Sequence, residues 1–303
     1  MLFRSVGFTG LNYELKTGLG AVAGLKGTAR QFDLGLAYPV LRRVGRSADL
    51  AVVLQQKALD DKSIAGALRG RNVTAVQTTL SGRWQSAAWG TSDQFQAPAF
   101  NTASIGLRTG RLDLSRVAAD SAADAAGLRT AGSYTSLQYA ASREQLLPFV
   151  GNRLWSTYVQ VRGQASNKNL DASEQFSLGG RSGVRGYPAG EANGDSGFIA
   201  TLEARYAMQQ IQRLQAFGFF DTGRIRLQNT PGAVPIASIT GNNTYGLSSG
   251  GLGLRYVSPN GKVSAELILA KAVGANDGRS IAGNNADGLS SRSRVWFTLT
   301  YSL

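Results

Sequence analysis

The stretch from Phe176 to Asp195 reads FSLGGRSGVRGYPAGEANGD and holds six glycines in twenty residues. It is too long and too rich in glycine for an ordinary turn, and its Val-Arg-Gly-Tyr centre is too distinctive for a flexible linker. Loops of this length inside a compact chain are usually functional or disordered. Glycine serves where a backbone must bend sharply or approach other groups closely. The stretch therefore predicts a structured loop that has a function.

The segments that follow this loop read as two β-strands. Residues 197–208 (GFIATLEARYAM) alternate apolar and polar side chains, and residues 214–227 (LQAFGFFDTGRIRL) form a second segment that carries Asp221. A period of two is the pattern of a strand with one apolar and one polar face. The same pattern recurs along the chain, and in the last segment Trp296 is the one apolar residue on the polar side.

This periodicity predicts thirteen strands, most of them about 9–11 residues long, the length with which a tilted strand crosses a bilayer. The predicted strands lie near residues 2–9, 11–20, 29–39, 47–57, 72–85, 102–112, 132–142, 154–165, 197–207, 213–225, 247–257, 262–271 and 293–302.

The connections between these strands alternate between short turns and long loops. Short turns are predicted at Thr9–Leu11, Pro39–Ser47, Met208–Gln212 and Ser258–Gly261, and long loops at Ala58–Arg71, Asp113–Ala131, Ser166–Ser196, Leu227–Gly246 and Ala272–Arg292. Ala87–Asn101 breaks the rhythm, because it is a longish link where a short turn is expected. The alternation is typical of an outer-membrane β-barrel, whose short turns lie on the periplasmic side. Aromatic residues at strand ends fit the girdles of such a barrel: Tyr38, Trp84, Tyr206, Tyr256 and Tyr301.

Three charged residues near the Gly-rich loop lie on the polar side of their strands. Glu203 and Arg205 share the polar side of one strand, whereas Asp221 shares its side with Gln215 but also with two phenylalanines. A charge that faces lipid at the membrane midplane costs about 2–4 kcal/mol. In a membrane barrel these side chains are therefore expected to point into the lumen, less clearly so for Asp221.

Composition excludes several classes of site. The chain contains neither cysteine nor histidine, so it has no disulfide, no thiol chemistry, no Ser-His-Asp triad and none of the commonest metal ligand. The net charge is +13, but the arginines are scattered singly, unlike the basic patch of a nucleic-acid-binding protein. The segment GGRSGVRG lacks the Gly-Lys-Ser/Thr of a phosphate loop, and Asp60 and Asp61 are predicted to lie in an exposed loop. We predict no catalytic residue, metal, cofactor or nucleic-acid partner.

The N-terminal residues raise a question of completeness. No stretch approaches the about 20 continuous apolar residues of a membrane helix. The segment MLFRSVGFTGLNYELKTG also lacks the apolar region of a signal peptide. Because an outer-membrane protein needs such a signal, we expect the sequence to be a fragment or its start to be missing or misassigned.

Five short motifs occur in one order along the chain: Leu178-Gly179-Gly180, Val184-Arg185-Gly186-Tyr187, Gly194-Asp195, Glu203-Ala204-Arg205-Tyr206 and Phe219-Phe220-Asp221-Thr222-Gly223. In this order and spacing they closely resemble the outer-membrane transporters of two-partner secretion, the haemolysin secretion/activation proteins of the ShlB/FhaC/HecB type. Those proteins share a superfamily with the barrel-assembly protein BamA. The resemblance is strongest from Trp155 to Arg226 and runs more weakly to Leu303.

The resemblance implies an all-β fold, a transmembrane antiparallel barrel of sixteen strands. The Gly-rich loop would lie between the eleventh and twelfth strands. The first three strands, and the two POTRA domains that precede the family's barrel, would be absent. Residues 1–303 would then form the C-terminal barrel domain, with residues 176–196 as a loop inserted into the lumen.

The resemblance also implies the site residues. Arg185 at the loop tip would pair with Asp221, and the other residues of loop anchoring and translocation would be Gly179, Gly180, Gly186, Tyr187, Glu203, Arg205 and Gly223. The protein would not be an enzyme. It would lie in the outer membrane of a Gram-negative bacterium as a monomeric, anion-preferring pore and pass one unfolded exoprotein, a haemolysin or adhesin with an N-terminal secretion domain.

Further partners implied are outer-membrane lipid and the barrel-assembly machinery. The last strand resembles the terminal assembly signal of outer-membrane proteins, although it ends on Leu303 rather than phenylalanine. Three other functions stay open: a BamA-like assembly factor, which shares the loop and fold; a passive porin, which lacks the Arg-Gly-Tyr loop; and a soluble all-β binding protein, since periodicity does not identify the solvent. Arg185 could also be an ordinary solvated loop residue, because exposed arginine is common.

Overall fold

The computed structural model describes residues 3–16, 22–87, 98–147, 154–211, 213–232 and 235–302. Within these ranges twelve long strands form a single antiparallel sheet in which each strand pairs with its neighbours in sequence order. They are β1 (Phe3–Glu14), β2 (Lys26–Arg43), β3 (Arg46–Ser63), β4 (Gly66–Ala87), β5 (Pro98–Asp113), β6 (Gly132–Leu146), β7 (Trp155–Ser166), β10 (Ser196–Ala207), β11 (Leu214–Arg226), β12 (Thr244–Val257), β13 (Val263–Val273) and β14 (Ser293–Tyr301). Two short strands, β8 (Phe176–Ser177) and β9 (Asn193–Gly194), pair with each other inside the Gly-rich loop. The predicted all-β class is confirmed.

The sheet has one apolar and one polar face, as the period of two predicts. On β10 and β14, Leu202 and Leu299 are 52% and 62% exposed on the apolar face. On the opposite face Glu203, Arg205 and Asp221 are buried. Because Asp221 lies on this face with Phe217 and Phe219, the weaker of the three assignments also holds.

Two of the thirteen predicted strands are one strand in the structure. β1 runs without interruption through Gly10, which pairs with Arg30 of β2 in a continuous ladder. The predicted short turn at Thr9–Leu11 is therefore wrong, because glycine inside a strand imitates a turn signal without breaking the pairing. The second of these predicted strands extended to residue 20, and its residues 17–20 lie outside the described ranges.

The predicted long loop Ala58–Arg71 is also wrong. β3 continues to Ser63 and β4 begins at Gly66, so the connection is a tight turn between two extended strands. Asp60 and Asp61 lie within β3 rather than in an exposed loop: Asp60 pairs with Arg116 at 2.8 Å, and Asp61 accepts a hydrogen bond from Tyr13 at 2.7 Å. Several strands are accordingly longer than predicted, up to the 22 residues of β4.

The other long loops occur where they are predicted, all at one end of the sheet. The β5–β6 connection contains the helix Ala118–Ala126, and the remaining ones join β7 to β10, β11 to β12 and β13 to β14. Most of the link Ala87–Asn101 lies outside the described residues, and β5 resumes at Pro98. β1 and β14 form the two edges of the sheet and, as far as the structure describes them, do not pair with each other.

The largest apolar core lies between the Gly-rich loop and the polar face of the sheet. Loop residues Phe176, Leu178, Val184 and Tyr187 pack there against strand residues that include Ile199, Ile225, Tyr245 and Leu247. The loop thus replaces water over this part of the sheet, and its burial positions the charged residues described next.

Candidate functional site: the loop on the polar face

The loop between β7 and β10 folds back on itself before it meets the sheet. β8 and β9 close its base, and the amides of Leu178 and Gly179 donate to the carbonyls of Ala192 and Glu191 at 3.1 and 3.0 Å. Nearer the tip, the Val184 amide donates to the Leu178 carbonyl at 2.8 Å. Arg185 is therefore presented from a compact hairpin rather than from a flexible coil.

Glycines permit the close contacts that this fold needs. Gly180 has a φ of +107°, a conformation that L side chains rarely adopt. A Cβ on Gly179 would lie 2.5 Å from the Pro188 carbonyl oxygen, and one on Gly186 would lie 2.7 Å from Ser249 Cβ. On the strand side, a Cβ on Gly223 would lie 2.5 Å from Leu178 Cδ1. Gly179 and Gly180 thus allow the loop to pack closely on itself, and Gly186 and Gly223 allow it to pack closely on the sheet.

The guanidinium of Arg185 binds two carboxylates of the sheet. Its Nε and Nη2 donate to the two carboxylate oxygens of Asp221 at 2.9 and 2.8 Å, and Nη1 donates to Glu203 at 2.7 Å. The backbone amide of Arg185 also donates to Asp221, at 3.1 Å. This two-pronged geometry is specific to arginine and cannot be reproduced by lysine. Because all three residues are buried, Arg185 is not a solvated loop residue.

A second arginine extends the ion cluster along the sheet. Arg205 donates from Nε and Nη2 to Glu203 at 2.9 and 2.8 Å, and its guanidinium carbon lies 4.0 Å from the centre of the Tyr158 ring. Glu203 therefore shares its carboxylate between the loop arginine and a strand arginine. Arg205 also pairs with Glu144, whose carboxylate oxygen lies 3.1 Å from Nη1, so the cluster contains three carboxylates and two guanidinium groups.

Several further residues of the site have no motif signal in the sequence. Thr201 donates to Asp221 at 3.0 Å, and Ser249 donates to it at 3.3 Å. The Arg185 guanidinium carbon lies 3.6 Å from the centre of the Phe219 ring. Trp296 of β14 donates from its indole nitrogen to the Arg185 carbonyl at 2.8 Å. Its place on the polar side of a strand is the only sequence feature that could have marked it.

Tyr187, the last residue of the Val-Arg-Gly-Tyr motif, is packed rather than hydrogen-bonded. It is 2% exposed, and its hydroxyl has no partner among the described residues. Burial raises the pKa of Tyr187. Burial likewise raises the pKa of Asp195 at the end of the loop, against the opposing effect of the Leu170 and Asn229 amides that donate to its carboxylate. Asp195 thereby fastens the end of the loop to the β11–β12 connection.

The residues of this site do not suggest a metal or a cofactor. In the part of the chain that the structure describes, no three His, Cys, Asp or Glu side chains are grouped to hold a metal ion. Across the same ranges, none of the helices has both the length and the apolar character that membrane crossing requires. The cluster at Arg185 is a paired, desolvated set of charges that holds a loop in place.

Comparison with known families gives a direct match. Residues 13–255 match the sequence model of the family described as "Haemolysin secretion/activation protein ShlB/FhaC/HecB". The chain belongs to this family. The match includes the whole Gly-rich loop and the strands β10 and β11 that bind its tip.

Curated relatives match over part of their length. The heme/hemopexin transporter protein HuxB of Haemophilus influenzae strain 86-028NP is 28% identical over 145 residues, which are 47% of this chain and 24% of HuxB. HuxB of strain ATCC 51907 is 33% identical over 92 residues, or 30% of this chain and 16% of that protein. The chain thus spans about a quarter or less of the curated relatives that it matches.

Solved structures show the same fold. CdiB from Escherichia coli superposes with a TM-score of 0.70 at 16% identity, over 99% of this chain and 50% of CdiB. CdiB from Acinetobacter baumannii gives 0.66 at 16% identity, over 99% of this chain and 47% of that protein. Together with family membership, this makes the protein an outer-membrane antiparallel β-barrel of Gram-negative bacteria, although the described sheet is open between β1 and β14.

Proposed function

We propose that this protein is the pore-forming part of an outer-membrane translocator that secretes a large exoprotein by two-partner secretion. Membership of the haemolysin secretion/activation family supports the proposal. The observation that carries it is the loop tip, because Arg185 is held by Asp221 and Glu203 on the face that becomes the lumen of a barrel. A passive porin lacks the Arg-Gly-Tyr loop that these contacts hold.

Within this proposal residues 1–303 act as the C-terminal barrel domain, and residues 176–196 form a loop that occupies the lumen. The apolar outer face contacts outer-membrane lipid, and the barrel-assembly machinery inserts the protein as a monomer. The exoprotein, a haemolysin or adhesin with an N-terminal secretion domain, passes the loop as an unfolded chain. The transfer makes and breaks no covalent bond, so the protein acts as a conduit and not as an enzyme.

Some residues of the site fix the loop, and others let it lie close to the sheet so that space is left for the exoprotein. Arg185, Gly186 and Tyr187 hold the tip, Glu203, Arg205 and Asp221 receive it, and Gly179, Gly180 and Gly223 allow the close backbone approach. Both guanidinium groups of the Arg185 cluster are paired with carboxylates, Arg185 with Asp221 and Glu203, and Arg205 with Glu203 and Glu144. Paired guanidinium groups offer little electrostatic attraction to a passing chain, and this suits a conduit that must release what it carries.

The proposal is tested in cells that express the complete protein together with its exoprotein. We expect the exoprotein in the medium to be lost when the gene is deleted and restored when it is returned, with other outer-membrane proteins at unchanged levels. A general fall in the other barrels would instead indicate an assembly factor. Secretion that continues without the protein would overturn the proposal.

A further inference from the structure

The loop makes a second ionic contact with the sheet, well away from its tip. Glu174 precedes the Gly-rich motif, and its side chain is only 3% exposed. One carboxylate oxygen accepts from Lys57 Nζ at 2.8 Å and from Arg108 Nη2 at 3.2 Å. The other accepts from Arg108 Nε at 2.5 Å and from the Tyr134 hydroxyl at 2.8 Å. We call this group the arm anchor, and the cluster of Arg185, Glu203 and Asp221 the tip anchor.

The two anchors join the loop to different parts of the sheet. The arm anchor uses β3, β5 and β6, and the tip anchor uses β10 and β11. In the order of the sheet β3 and β11 are six strand steps apart, roughly 29 Å along its surface at about 4.8 Å per step. Glu174 and Arg185 are only eleven residues apart in sequence. The loop is therefore a short tie between two distant regions of the polar face.

The segment that carries Glu174 is itself well ordered. Asp171 caps a short 3-10 helix, Ala172–Glu174, by accepting from the Ser173 amide at 3.0 Å. Asp171 also pairs with Arg71, which holds Asp120 of the β5–β6 helix at 2.9 Å. Residues 170–177, here called the arm, thus present Glu174 to the sheet in a fixed position.

The tip anchor is better enclosed than the arm anchor. The side chains of Arg185 and Asp221 are 6% and 0% exposed, whereas in the arm anchor Arg108 and Glu174 are 8% and 3% exposed and Lys57 is 16% exposed. The tip is also held by the Trp296 hydrogen bond and the Phe219 ring, and by the direct backbone contact at Gly186. Charged hydrogen bonds that water can reach are the weaker ones. Of the two, the arm anchor is the one that can open first.

There is room for the arm to move. A cavity of about 510 Å³ lies between the arm and the polar face of β4–β7. Gln77 and Gln138 line it from the sheet, and Phe176 and Ser177 line it from the arm. The 3-10 helix that carries Glu174 can therefore move away from the sheet while the tip stays bound, β8 stays paired with β9 and Phe176 stays in the apolar core.

We propose that Glu174 is a positioning residue that holds the arm against β3, β5 and β6, and that release of this contact alone widens the passage beside a tip that remains anchored. The proposal rests on the proposed function in that the widened passage serves the exoprotein. Its test does not, because conductance and chemical labelling need no exoprotein.

The experiment compares Glu174→Gln with Asp49→Asn in the complete, purified protein. Asp49 lies on the same polar face of β3 as Lys57, but its carboxylate pairs with the exposed Arg42, which does not belong to the arm anchor. We expect Glu174→Gln to raise the open-state occupancy in planar-bilayer recordings several-fold. Asp49→Asn, which removes the same charge, should match the wild type, and Glu174→Asp should return the occupancy most of the way to the wild-type value.

Labelling reports on the arm directly. Ser173→Cys, next to Glu174 in the 3-10 helix, gives a single thiol, because the native chain has no cysteine. We expect a soluble maleimide to react with it about tenfold faster when Glu174→Gln is added, as loss of a charged hydrogen bond implies. A thiol at the tip, Ser182→Cys, should react at an unchanged rate. If Glu174→Gln does not insert, Tyr134→Phe, which removes one donor, should shift the same readouts in the same direction by less.

Wild-type conductance and labelling in Glu174→Gln, or an equal response in Asp49→Asn, would overturn the arm anchor. The outcome is separable from that of the proposed function. If secretion proves independent of the protein while Glu174→Gln still opens the pore, the proposed function fails and the arm anchor stands. If secretion depends on the protein and Glu174→Gln changes neither readout, the arm anchor fails alone.

Discussion

Arg185 makes three side-chain hydrogen bonds to carboxylates in a place that water hardly reaches. A buried ion pair contributes little compared with a well-packed apolar pair, but removal of one partner leaves a charge without compensation. The importance of Arg185, Asp221 and Glu203 therefore lies in their mutual dependence.

Removal of either partner should be costly, and removal of both should be little worse. We expect Arg185→Ala and Asp221→Ala each to lower the free energy of unfolding by about 3–5 kcal/mol, because each leaves the other charge buried and unpaired. The double variant should resemble either single variant, since the two residues act as a unit. Urea unfolding measures the free energy of unfolding of the single and double variants, and the amount of exoprotein in the medium measures their secretion.

Arg181 provides the control for this cycle. It lies in the same loop and pairs with Glu266, but its side chain is 41% exposed. Exposed pairs contribute about 0–1 kcal/mol, so Arg181→Ala should secrete and unfold nearly as the wild type. Strictly additive effects of Arg185→Ala and Asp221→Ala, or normal secretion by Arg185→Ala, would contradict the anchored tip.

Gly186 should tolerate no side chain. A Cβ there would lie 2.7 Å from Ser249 Cβ and 2.8 Å from the Ala272 amide nitrogen, neither of which can move freely within a strand. We expect Gly186→Ala to cost about 1–3 kcal/mol, as overpacking generally does, and to lift the tip. Gly218→Ala on β11, where the nearest atom is 3.5 Å away, is the control. Equal unfolding midpoints for the two variants would count against the close contact.

Within a strand, a shift of one residue along the chain changes whether a side chain faces lipid or the lumen. Leu299 of β14 is 62% exposed on the apolar face, and its neighbour Thr298 lies on the polar face opposite Glu266 of β13. Neighbouring residues on β14 therefore differ in surroundings but hardly in position, and they make a matched pair.

Leu299→Arg should impair membrane insertion, because arginine on the lipid face costs about 2–4 kcal/mol near the midplane. Thr298→Arg should insert normally and alter conductance, because its new charge faces the lumen and Glu266. Insertion is measured by heat-modifiable migration of the folded barrel. Leu202→Arg should behave as Leu299→Arg, but Thr201 is not a suitable control because it donates to Asp221. An equal loss of insertion in Thr298→Arg and Leu299→Arg would contradict the assignment of the two faces.

The connections at the end of the sheet that carries the long loops should face the cell exterior. Ile64, Ile239 and Ile281 are 81%, 58% and 82% exposed in the β3–β4 turn and the β11–β12 and β13–β14 connections. Single cysteines at these positions should react with an impermeant maleimide on intact cells, whereas Asn260→Cys in the short β12–β13 turn should react only after the outer membrane is opened. Labelling of residue 260 alone would invert the topology.

Across the whole molecule, the net charge of +13 gives a misleading picture of the polar face. The arginines that are buried there are paired with carboxylates: Arg108 with Glu174, Arg185 with Asp221 and Glu203, and Arg205 with Glu203 and Glu144. The surplus positive charge lies on more exposed residues. The lumen is accordingly less basic than the composition suggests.

The sequence predicts well what depends on near neighbours in the chain. The alternation in β10 and β14 assigned Glu203 and Leu299 to opposite faces, because burial on one face of a strand imposes a period of two. The prediction from sequence failed where this alternation is absent or ambiguous. Apolar and polar residues do not alternate with a period of two over residues 58–71, so the signal is missing from the extension of β3 and β4, and Gly10 looks like a turn although its ladder continues.

Contacts between distant residues could not be predicted in this way. The pairing of Arg185 with Asp221 was expected from the family resemblance, but nothing near Glu174 indicates that Lys57, Arg108 and Tyr134 converge on it. Their meeting depends on the register of the whole sheet and on its curvature, which brings strands far apart in sequence around the loop. Trp296 belongs to the same class, since it meets the Arg185 carbonyl from the edge strand β14.

Trp296 also makes the loop visible to fluorescence. Of the four tryptophans in the chain, Trp84 and Trp155 lie on the lipid side, where they are 41% and 38% exposed. Their surroundings therefore differ from those of the loop tip. The Trp296 indole nitrogen donates a hydrogen bond of 2.8 Å to the Arg185 carbonyl. The fluorescence emission of Trp296 therefore depends on whether the loop tip is bound to the sheet. With the other tryptophans replaced by phenylalanine, the emission maximum should move to longer wavelength when Asp221→Ala frees the tip and water reaches the indole, and should stay in place in Glu174→Gln. The emission of Trp296 can thus show in real time whether the loop has been released at its tip or at its arm.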